Sequence, residues 1–229
     1  MFERVVCINL ESSVDRWEKF TGQISTIKNW PFGDVQRFNA YTPENVPIIK
    51  PEWFKPTPAS WACYMSHLAV IRQALDDGAQ SLLIFEDDAV FDQPDFPAKV
   101  KQFFSALPEN WQVVYLGGNH KAPPVDVQQE YVQCRDTTLH HAWGMRGDGL
   151  RAVYNHLIDW DGLKNLTHRK QNKDQWCAEG MRLGRFAAYA PRRRWLVHQA
   201  AGISVRNNKI HKQKTNGVRT RRHVRWPNQ

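Results

Sequence analysis

The sequence predicts an α/β fold, a mixed sheet flanked by helices and followed by a basic C-terminal extension. Strand-like and helix-like segments alternate through the first half of the chain, a pattern typical of such sheets. The apolar run Leu82–Phe85 ends abruptly in the carboxylates of Glu86, Asp87 and Asp88. Residues 180–229 hold 13 Lys or Arg and no acid, whereas the preceding residues carry a net charge of −5.

Each element is predicted from apolar spacing and from the residues that cap or break it. The predicted strands are Arg4–Leu10, Val35–Tyr41, Leu82–Phe85, Gln112–Leu116, Glu130–Cys134, Leu139–Met145, Arg185–Ala190 and Trp195–His198, which continues the last strand after Pro191. The predicted helices are a segment capped by Ser12 or Ser13 that includes Trp17, Phe20, Ile24 and Ile27, then Ala59–Asp77, Pro97–Leu107, Asp148–Leu157 and Asp174–Leu183. Five prolines predict a loop over residues 42–58. Gly78 is expected to end its helix, and Gly117-Gly118 is expected to end its strand.

The chain is predicted to form one domain over residues 1–205, with a basic arm over 206–229. Its 229 residues are enough for a sizeable core. The four cysteines are widely scattered and are interpreted as reduced, buried thiols. No apolar stretch has the length of a signal peptide core or a membrane span. We therefore expect a cytoplasmic protein, at most peripheral at a membrane surface.

The acidic end of the strand Leu82–Phe85 is the first candidate functional site. Three adjacent carboxylates repel one another and resist burial. A divalent cation with oxygen ligands, bound in turn to a phosphate-bearing ligand, would offset this charge. The alternative is a solvated strand end whose acids cap a turn. Because side chains alternate along a strand, Glu86 and Asp88 are expected on one face and Asp87 on the other.

Several segments, in order along the chain, resemble glycosyltransferase family 25, which includes bacterial lipooligosaccharide galactosyltransferases and collagen galactosyltransferases. These segments are Cys7–Ser12 with Asp15 and Arg16, Ala62–His67, Phe85–Asp88, and Gln199 with Ser204. The resemblance covers about residues 4–205. It implies a GT-A fold with a Rossmann-like nucleotide-sugar site, a nucleotide-sugar donor such as a UDP-sugar, and Mn²⁺ or Mg²⁺.

The resemblance also implies roles for single residues. Asp88 is the predicted direct metal ligand, with Glu86 or Asp87 contacting the metal through water or contacting the donor ribose. Asn9, Leu10 and Arg16 are expected at the nucleotide, although Arg16 could be an ordinary helix-surface charge. His67 could orient a donor-contacting loop or be a satisfied interior histidine. His198 is the candidate for a late metal ligand, and the alternative is a histidine bonded locally at a strand end.

Family members characterised as sugar transferases invert the anomeric centre, which requires a base for the acceptor hydroxyl. Asp174 is the predicted base, with Asp148 and Glu179 as alternatives. Asp174 could instead be the N-cap of its helix, or fill both roles. His140 and His141 lie on a strand expected to approach the donor sugar, and strand alternation allows at most one of them to line the site.

The predicted acceptor is a hydroxyl on an anionic glycan, as in lipopolysaccharide biosynthesis. The alternative is a hydroxylated or hydroxymethylated DNA base, as in virus-type DNA modification, which would place the enzyme in an infected host cytoplasm. Basic residues favour a polyanionic partner, and those considered are Arg192–Arg194, Arg219, Arg221, Arg222 and Arg225, with Trp226 for stacking. A third possibility is a non-catalytic nucleic-acid-binding protein, which would have no need for clustered acids.

Overall fold

An eight-stranded mixed sheet forms the centre of the protein. The structure is a computed structural model that describes residues 1–92, 94–192 and 194–200. The strands are β1 (Arg4–Asn9), β2 (Gln36–Asn39), β3 (Ser81–Glu86), β4 (Ala89–Phe91), β5 (Val113–His120), β6 (Asp126–Val127), β7 (Tyr131–Gln133), β8 (Thr137–Arg146), β9 (Ala188–Pro191) and β10 (Val197–Gln199). The helices are α1 (Val14–Thr26), α2 (Pro58–Asp76), α3 (Phe96–Ala106), α4 (Asp148–Ile158), α5 (Trp160–Lys164) and α6 (Lys173–Arg182). The sheet order is β2-β1-β3-β8-β5-β9-β7-β6, and β4 pairs separately with β10. The predicted mixed sheet flanked by helices is confirmed.

The central strand β3 is buried on both faces, which explains its uninterrupted apolar run. Leu82 and Ile84 pack into the core that contains apolar side chains of α2, α4 and α6. Leu83 and Phe85 pack into a second core on the opposite face, with side chains from α1 and α3. Strand β3 is parallel to β1 and antiparallel to β8.

Helix α2 has well-defined ends that its sequence dictates. Thr57 is the N-cap, because its side chain accepts a hydrogen bond from the backbone N–H of Ser60 at 3.1 Å. At the other end Gly78 has φ +75° and its N–H bonds to the carbonyl of Leu75, while the N–H of Ala79 bonds to that of Ala74. This is a Schellman motif, so the prediction that Gly78 ends the helix is confirmed.

The structure corrects the prediction for Gly117-Gly118, because β5 continues through both glycines to His120. A Cβ atom on Gly117 would lie 2.2 Å from the ring of His141 and 2.3 Å from the carbonyl oxygen of Val197. The glycine therefore permits close packing of β8 and β10 against a strand that continues, with a shift in register between Tyr115 and Gly117.

Further corrections concern short elements whose formation depends on tertiary contacts. Strand β10 does not extend β9 but pairs antiparallel with β4, a strand that the sequence did not reveal. Helix α5 and strand β6 were also missed.

Ser13 occupies the N-cap position of α1 but makes no side-chain cap bond. Of the four free cysteines, Cys63 is exposed, whereas the other three are buried as predicted.

Two predictions concern the ends of the chain and its relation to membranes. Among the described residues, none of the helices combines the length and the apolar character that crossing a membrane requires. The predicted basic arm, residues 206–229, lies outside the described residues, as do Ser204 and the tail residues Arg219, Arg221, Arg222, Arg225 and Trp226. Its separation from the domain stays a prediction.

Candidate active site

The carboxyl ends of β1 and β3 meet at one edge of the sheet, because the two strands are parallel neighbours with Ile8 opposite Glu86. Ligands of open α/β sheets bind beyond such strand ends. The polar residue that ends β1, Asn9, therefore lies beside the acids that follow β3. Nδ2 of Asn9 donates to Oδ2 of Asp87 at 2.5 Å. The sequence thus brings predicted nucleotide-site residues from two strands together.

Asp87 is bound to the protein through both carboxylate oxygens. Oδ2 accepts from Asn9, and Oδ1 forms an ion pair with Arg16 of α1. Arg37 in turn donates to Oδ1 of Asn9 from Nε at 2.9 Å and from Nη2 at 2.6 Å, which fixes the orientation of the amide. Burial raises the pKa of Asp87, although the hydrogen bond from Asn9 and the charge of Arg16 oppose this shift. Arg16 thus pairs with the acid cluster, and its contact with a nucleotide stays a prediction.

Glu86 is neutralised by a buried lysine. Oε1 of Glu86 lies 3.1 Å from Nζ of Lys173, at the start of α6, and 2.9 Å from Nε2 of His67 in α2. Burial favours the protonated acid, but the charge of Lys173 and the hydrogen bond from His67 outweigh it and hold the pKa of Glu86 well below its usual value. Sequence reasoning missed Lys173, which precedes Asp174 in the chain, because a lysine at a helix start gives no local sign of such a partner.

His67 is a neutral imidazole with a defined tautomer. The indole N–H of Trp143 donates to Nδ1 of His67 at 3.3 Å, and an indole nitrogen can only donate. The proton of His67 therefore lies on Nε2 and points to Glu86. Burial, with the nearby charge of Lys173, lowers the pKa of His67 to about 4. His67 is a satisfied interior histidine that orients Glu86, which matches the structural alternative considered for it.

Within the described residues, one group of three potential metal ligands has its ligand atoms within 4.8 Å of one another: Cys63, His67 and Glu86. Both ring nitrogens of His67 are already used, one by Trp143 and one by Glu86. Nζ of Lys173 also lies 3.9 Å from Sγ of Cys63. A cation of the protein thus occupies this place, and the group does not fit a metal ion.

Asp88 differs from its two neighbours because one of its oxygens has no hydrogen-bond partner among the described residues. Oδ2 accepts from Nε2 of Gln199 at 3.0 Å and lies 3.7 Å from Nη2 of Arg16. Oδ1 is buried and accepts no hydrogen bond within the part of the chain that the structure describes. Burial and the charge of Glu86 raise the pKa of Asp88. Asp88 is therefore the acid of the cluster with an oxygen available to a cation.

The late metal ligand predicted at His198 lies on the strand that contacts Asp88. In the β4–β10 pair, Gln199 is opposite Ala89 and His198 is opposite Val90. Side chains alternate along a strand, so Gln199, which bonds to Asp88, and His198 point to opposite faces. The pairing thus brings Gln199 to the acid cluster, and the role of His198 as a metal ligand stays a prediction.

Asp174 lies in the first turn of α6 and is not its cap, because Oδ1 of Asn172 accepts from the backbone N–H of Gln175 at 2.9 Å. Oδ1 of Asp174 lies 2.7 Å from Nδ1 of His140, and Oδ2 accepts from the N–H of Leu139 at 3.2 Å. Burial raises the pKa of Asp174, but the hydrogen bond from His140 and the charge of Lys173 outweigh it, and the pKa falls to about 2. The carboxylate is therefore ionised at neutral pH.

The alternative bases lie elsewhere. Asp148 is the exposed first residue of α4. Helix α4 follows the end of β8, and this end pairs with the start of β3. Asp148 therefore lies at the opposite edge of the sheet from the acids, which follow the end of β3. Glu179 is buried in ion pairs with Arg182 and Arg169. Neither residue lines the two cavities described next. Of the three candidate bases, only Asp174 lines one of these cavities, and its role as the base stays a prediction.

Two cavities adjoin at Glu86 and together form the cleft. The first, here called the α6 cavity, has a volume of about 340 Å³ and is lined by residues that include Glu86, His140, Lys173, Asp174 and Gln199. The second, here called the β1 cavity, has a volume of about 250 Å³ and is lined by residues that include Leu10, Arg16, His67, Glu86 and Asp87. Cys63 and Ala59 are also shared. Predicted donor residues line one cavity, and the predicted base lines the other.

The two adjacent histidines of β8 separate as alternation requires. His140 lines the α6 cavity, whereas His141 is buried with Nε2 3.3 Å from the carbonyl oxygen of Val197. Of the two, only His140 lines a described cavity, although His141 is close enough to Asp88 to lower the pKa of that acid.

Comparison with known proteins agrees with the resemblance read from the sequence. The model of a family described as glycosyltransferase family 25 (LPS biosynthesis protein) matches residues 2–137, which include β1, α2 and the acid cluster. No curated protein sequence matches the chain.

Solved structures give weaker similarities. A glycosyltransferase involved in the glycosylation of the major capsid of PBCV-1 is 10% identical, with a TM-score of 0.38 over 68% of this chain and 67% of that one. A protein described as mannose-1-phosphate geranyltransferase from Thermus thermophilus is 10% identical, with a TM-score of 0.39 over 82% and 72%. A197 from STIV is 10% identical, with a TM-score of 0.38 over 91% and 100%. TM-scores of this size do not assign a function.

Proposed function

Since the chain belongs to glycosyltransferase family 25, we propose that it transfers a sugar from a nucleotide-sugar donor to a hydroxyl of a glycan. The observation that carries this proposal is the pair of adjoining cavities, one lined by Arg16 and Asp87 and the other by Asp174. The two adjoining cavities together reach the size of a small-molecule site. The nucleotide is proposed to bind in the β1 cavity and the reacting sugars in the α6 cavity. The donor is proposed to be a UDP-sugar.

A divalent cation fits the acid cluster at one residue. Glu86 is neutralised by Lys173, and both oxygens of Asp87 are bound by Asn9 and Arg16. The buried Oδ1 of Asp88 lacks a partner among the described residues. Mg²⁺ and Mn²⁺ are commonly held by one or two carboxylates together with water and substrate phosphates, so Asp88 would hold such an ion. The bound ion would neutralise the charge that develops on the diphosphate.

Asp174 would act on the acceptor hydroxyl as the base of an inverting transfer. Its pKa of about 2 keeps it ionised, and its two oxygens retain lone pairs beyond the bonds to His140 and Leu139. A carboxylate held in the cavity can orient the hydroxyl and take its proton as the bond to the sugar forms. Lys173, beside it, brings a positive charge to the wall of the same cavity.

The proposed acceptor is an anionic glycan of the lipopolysaccharide kind, as the description of the family suggests. The alternative acceptor, a modified DNA base, was inferred mainly from basic residues that lie outside the described part of the chain. Of the basic run at 192–194, Arg194 pairs with Asp92 at 3.0 Å, and Asp92 also pairs with Lys99.

The proposal is tested by incubating the protein with a panel of nucleotide sugars, with and without Mn²⁺ or Mg²⁺. Release of nucleoside diphosphate is measured, and products are identified by mass spectrometry with separate glycan and modified-DNA acceptor pools. We expect metal-stimulated turnover of one donor class and a mass increase in the glycan pool. A mass increase confined to the DNA pool would reject the glycan acceptor. No turnover of any nucleotide sugar with either metal would contradict the proposed reaction.

A further inference from the structure

A buried chain of hydrogen bonds leads from Asp174 into the core, away from the α6 cavity. Nδ1 of His140 lies 2.7 Å from Oδ1 of Asp174, and the hydroxyl of Tyr115 lies 2.8 Å from Nε2 of the same ring. His140 and Tyr115 are 2% and 0% exposed. Such a chain excludes water and allows few arrangements of its members.

The positions of the protons follow from the chemistry of the three groups. An ionised carboxylate can only accept, so Nδ1 of His140 carries a proton and donates to Asp174. Burial lowers the pKa of His140, so its ring is neutral and Nε2 is an acceptor. Tyr115 then donates to Nε2. Every donor in this chain thus has an acceptor.

The second oxygen of Asp174 is held by an unusual backbone conformation. Leu139 has φ +72°, a region that a leucine rarely adopts, and its N–H donates to Oδ2 of Asp174. Residues held in such conformations cluster at functional sites. The ring of His140 is also confined, because its centroid lies 4.4 Å from that of Trp143 in an edge-to-face contact. Both oxygens of Asp174 therefore have fixed, rigid donors.

His140 itself cannot be the group that meets the acceptor, because both of its ring nitrogens are occupied. We propose that His140, backed by Tyr115, is a positioning residue that fixes the orientation of the Asp174 carboxylate toward the α6 cavity. This inference rests on the proposed role of Asp174 as the base. The carboxylate lies between imidazole and substrate, so His140 affects the reaction only through Asp174.

Several other ionisable groups face Asp174, and their effects differ in sign. Lys173, next to it on α6, lowers its pKa, whereas Glu86 on β3 raises it. Further ionisable side chains in electrostatic contact with Asp174 are those of Cys63, Tyr115 and Cys177. Since His140 contributes the largest lowering, its removal should raise the pKa of Asp174 while the other groups stay in place.

The first experiment compares His140→Ala with His140→Asn in the full-length protein. The amide nitrogen of asparagine can take the place of Nδ1 and restore the donor to Asp174, whereas alanine cannot. We expect His140→Ala to lower kcat about 100-fold with little change in the KM for the donor. His140→Asn should recover about tenfold of that loss, the order expected of one charge-assisted hydrogen bond. Equal losses in both variants would overturn the proposal.

A matched control is available at His156. This histidine is also buried, has a pKa that burial lowers, and stacks on Trp176, but it bonds to the backbone carbonyl of Trp176 outside the cleft. His156→Ala should lower the thermal midpoint as His140→Ala does and leave kcat and the pH profile unchanged. Tyr115→Phe keeps the packing and removes one donor, so we expect about a fivefold loss of kcat. A kcat loss no larger in His140→Ala than in His156→Ala would contradict the inference.

A second readout needs no turnover. The carboxyl ¹³C resonance of Asp174, identified by its loss in Asp174→Asn, is followed from neutral pH down to about pH 4. The Asp174 carboxylate should stay ionised over this range in the wild-type protein and begin to take up a proton in His140→Ala. If the wild-type protein turns over no nucleotide sugar, the proposed function fails, yet this titration still decides whether His140 controls Asp174. Identical titration curves would overturn the positioning role.

Discussion

The acid cluster and Asp174 use carboxylates in two different ways. In the cluster, Glu86 and Asp87 pair with the cations Lys173 and Arg16. Asp174 instead accepts hydrogen bonds from a neutral imidazole and a backbone N–H. Paired acids are held in place and are not available as bases. An acid held by neutral donors keeps its charge for a substrate, and this difference supports the proposed role of Asp174 as the base.

Asp88 has features of both cases. It belongs to the cluster, but its bond to Gln199 is neutral and its Oδ1 has no partner among the described residues. Three consecutive acids therefore have three environments. The repulsion expected from their sequence is offset largely by cations of the protein, and the proposed metal ion would act only at Asp88.

The largest expected effect comes from Asp174→Asn, which keeps the shape of the side chain and removes its ability to take a proton. We expect kcat to fall about 1,000-fold, within the range typical of a lost general base. The thermal midpoint and the binding of the nucleoside diphosphate should change little, since the β1 cavity is untouched. Steady-state kinetics measures kcat, and calorimetric titration measures the binding of the nucleoside diphosphate. Asp148→Asn, at an exposed helix start, is the control, and near-normal turnover of Asp174→Asn would remove Asp174 from the mechanism.

The second effect concerns stability. Lys173→Met would leave Glu86 in its pocket without a cation, and breaking a largely buried ion pair lowers the free energy of unfolding by about 3 kcal/mol. Urea denaturation measures the loss. The double variant Lys173→Met with Glu86→Gln removes the unpaired charge and should recover part of it. If the double variant loses as much stability as Lys173→Met and Glu86→Gln lose in sum, the two side chains do not stabilise each other.

The third effect separates two neighbours in the acid cluster. Asp88→Asn should lower metal-stimulated turnover about 100-fold and raise the metal concentration required, because it removes the proposed cation ligand. Asp87→Asn is the matched comparison, since it weakens the contact to Arg16 and should act on the KM for the donor instead. Titrations of activity with Mn²⁺ at fixed donor distinguish them. Loss of the metal response in Asp87→Asn alone would reverse the assignment.

Much of this site follows from sequence because its elements are parallel strands with apolar runs. The apolar β1 and β3 predict two neighbouring strands, and their carboxyl ends bring Asn9 to Asp87. The inference about Asn9 succeeds because strand direction, once known, determines which residues share an edge of the sheet. Asp174 was inferred from the family resemblance, and its role as the base stays a prediction.

Other parts of the site depend on contacts between segments far apart in sequence. The register of the short β4–β10 pair brings Gln199 to Asp88, and nothing in either segment predicts that register. The same holds for Lys173, which meets Glu86 across 87 residues, and for Tyr115 behind His140. Buried polar partners of this kind are selected by tertiary packing, which local pattern does not encode.

The smallest effect tests whether histidines outside the cleft account for acid sensitivity. Burial lowers the pKa of His156 to about 4, below its unfolded value of about 6.5. Between these values the unfolded chain binds a proton that the folded protein does not, so stability falls as pH falls, by about 1.4 kcal/mol per pH unit for this residue. Denaturation at several pH values measures the slope, and His156→Asn should reduce it by that amount. An unchanged slope would place the acid sensitivity at other groups, among them His120, whose pKa burial also lowers to about 4.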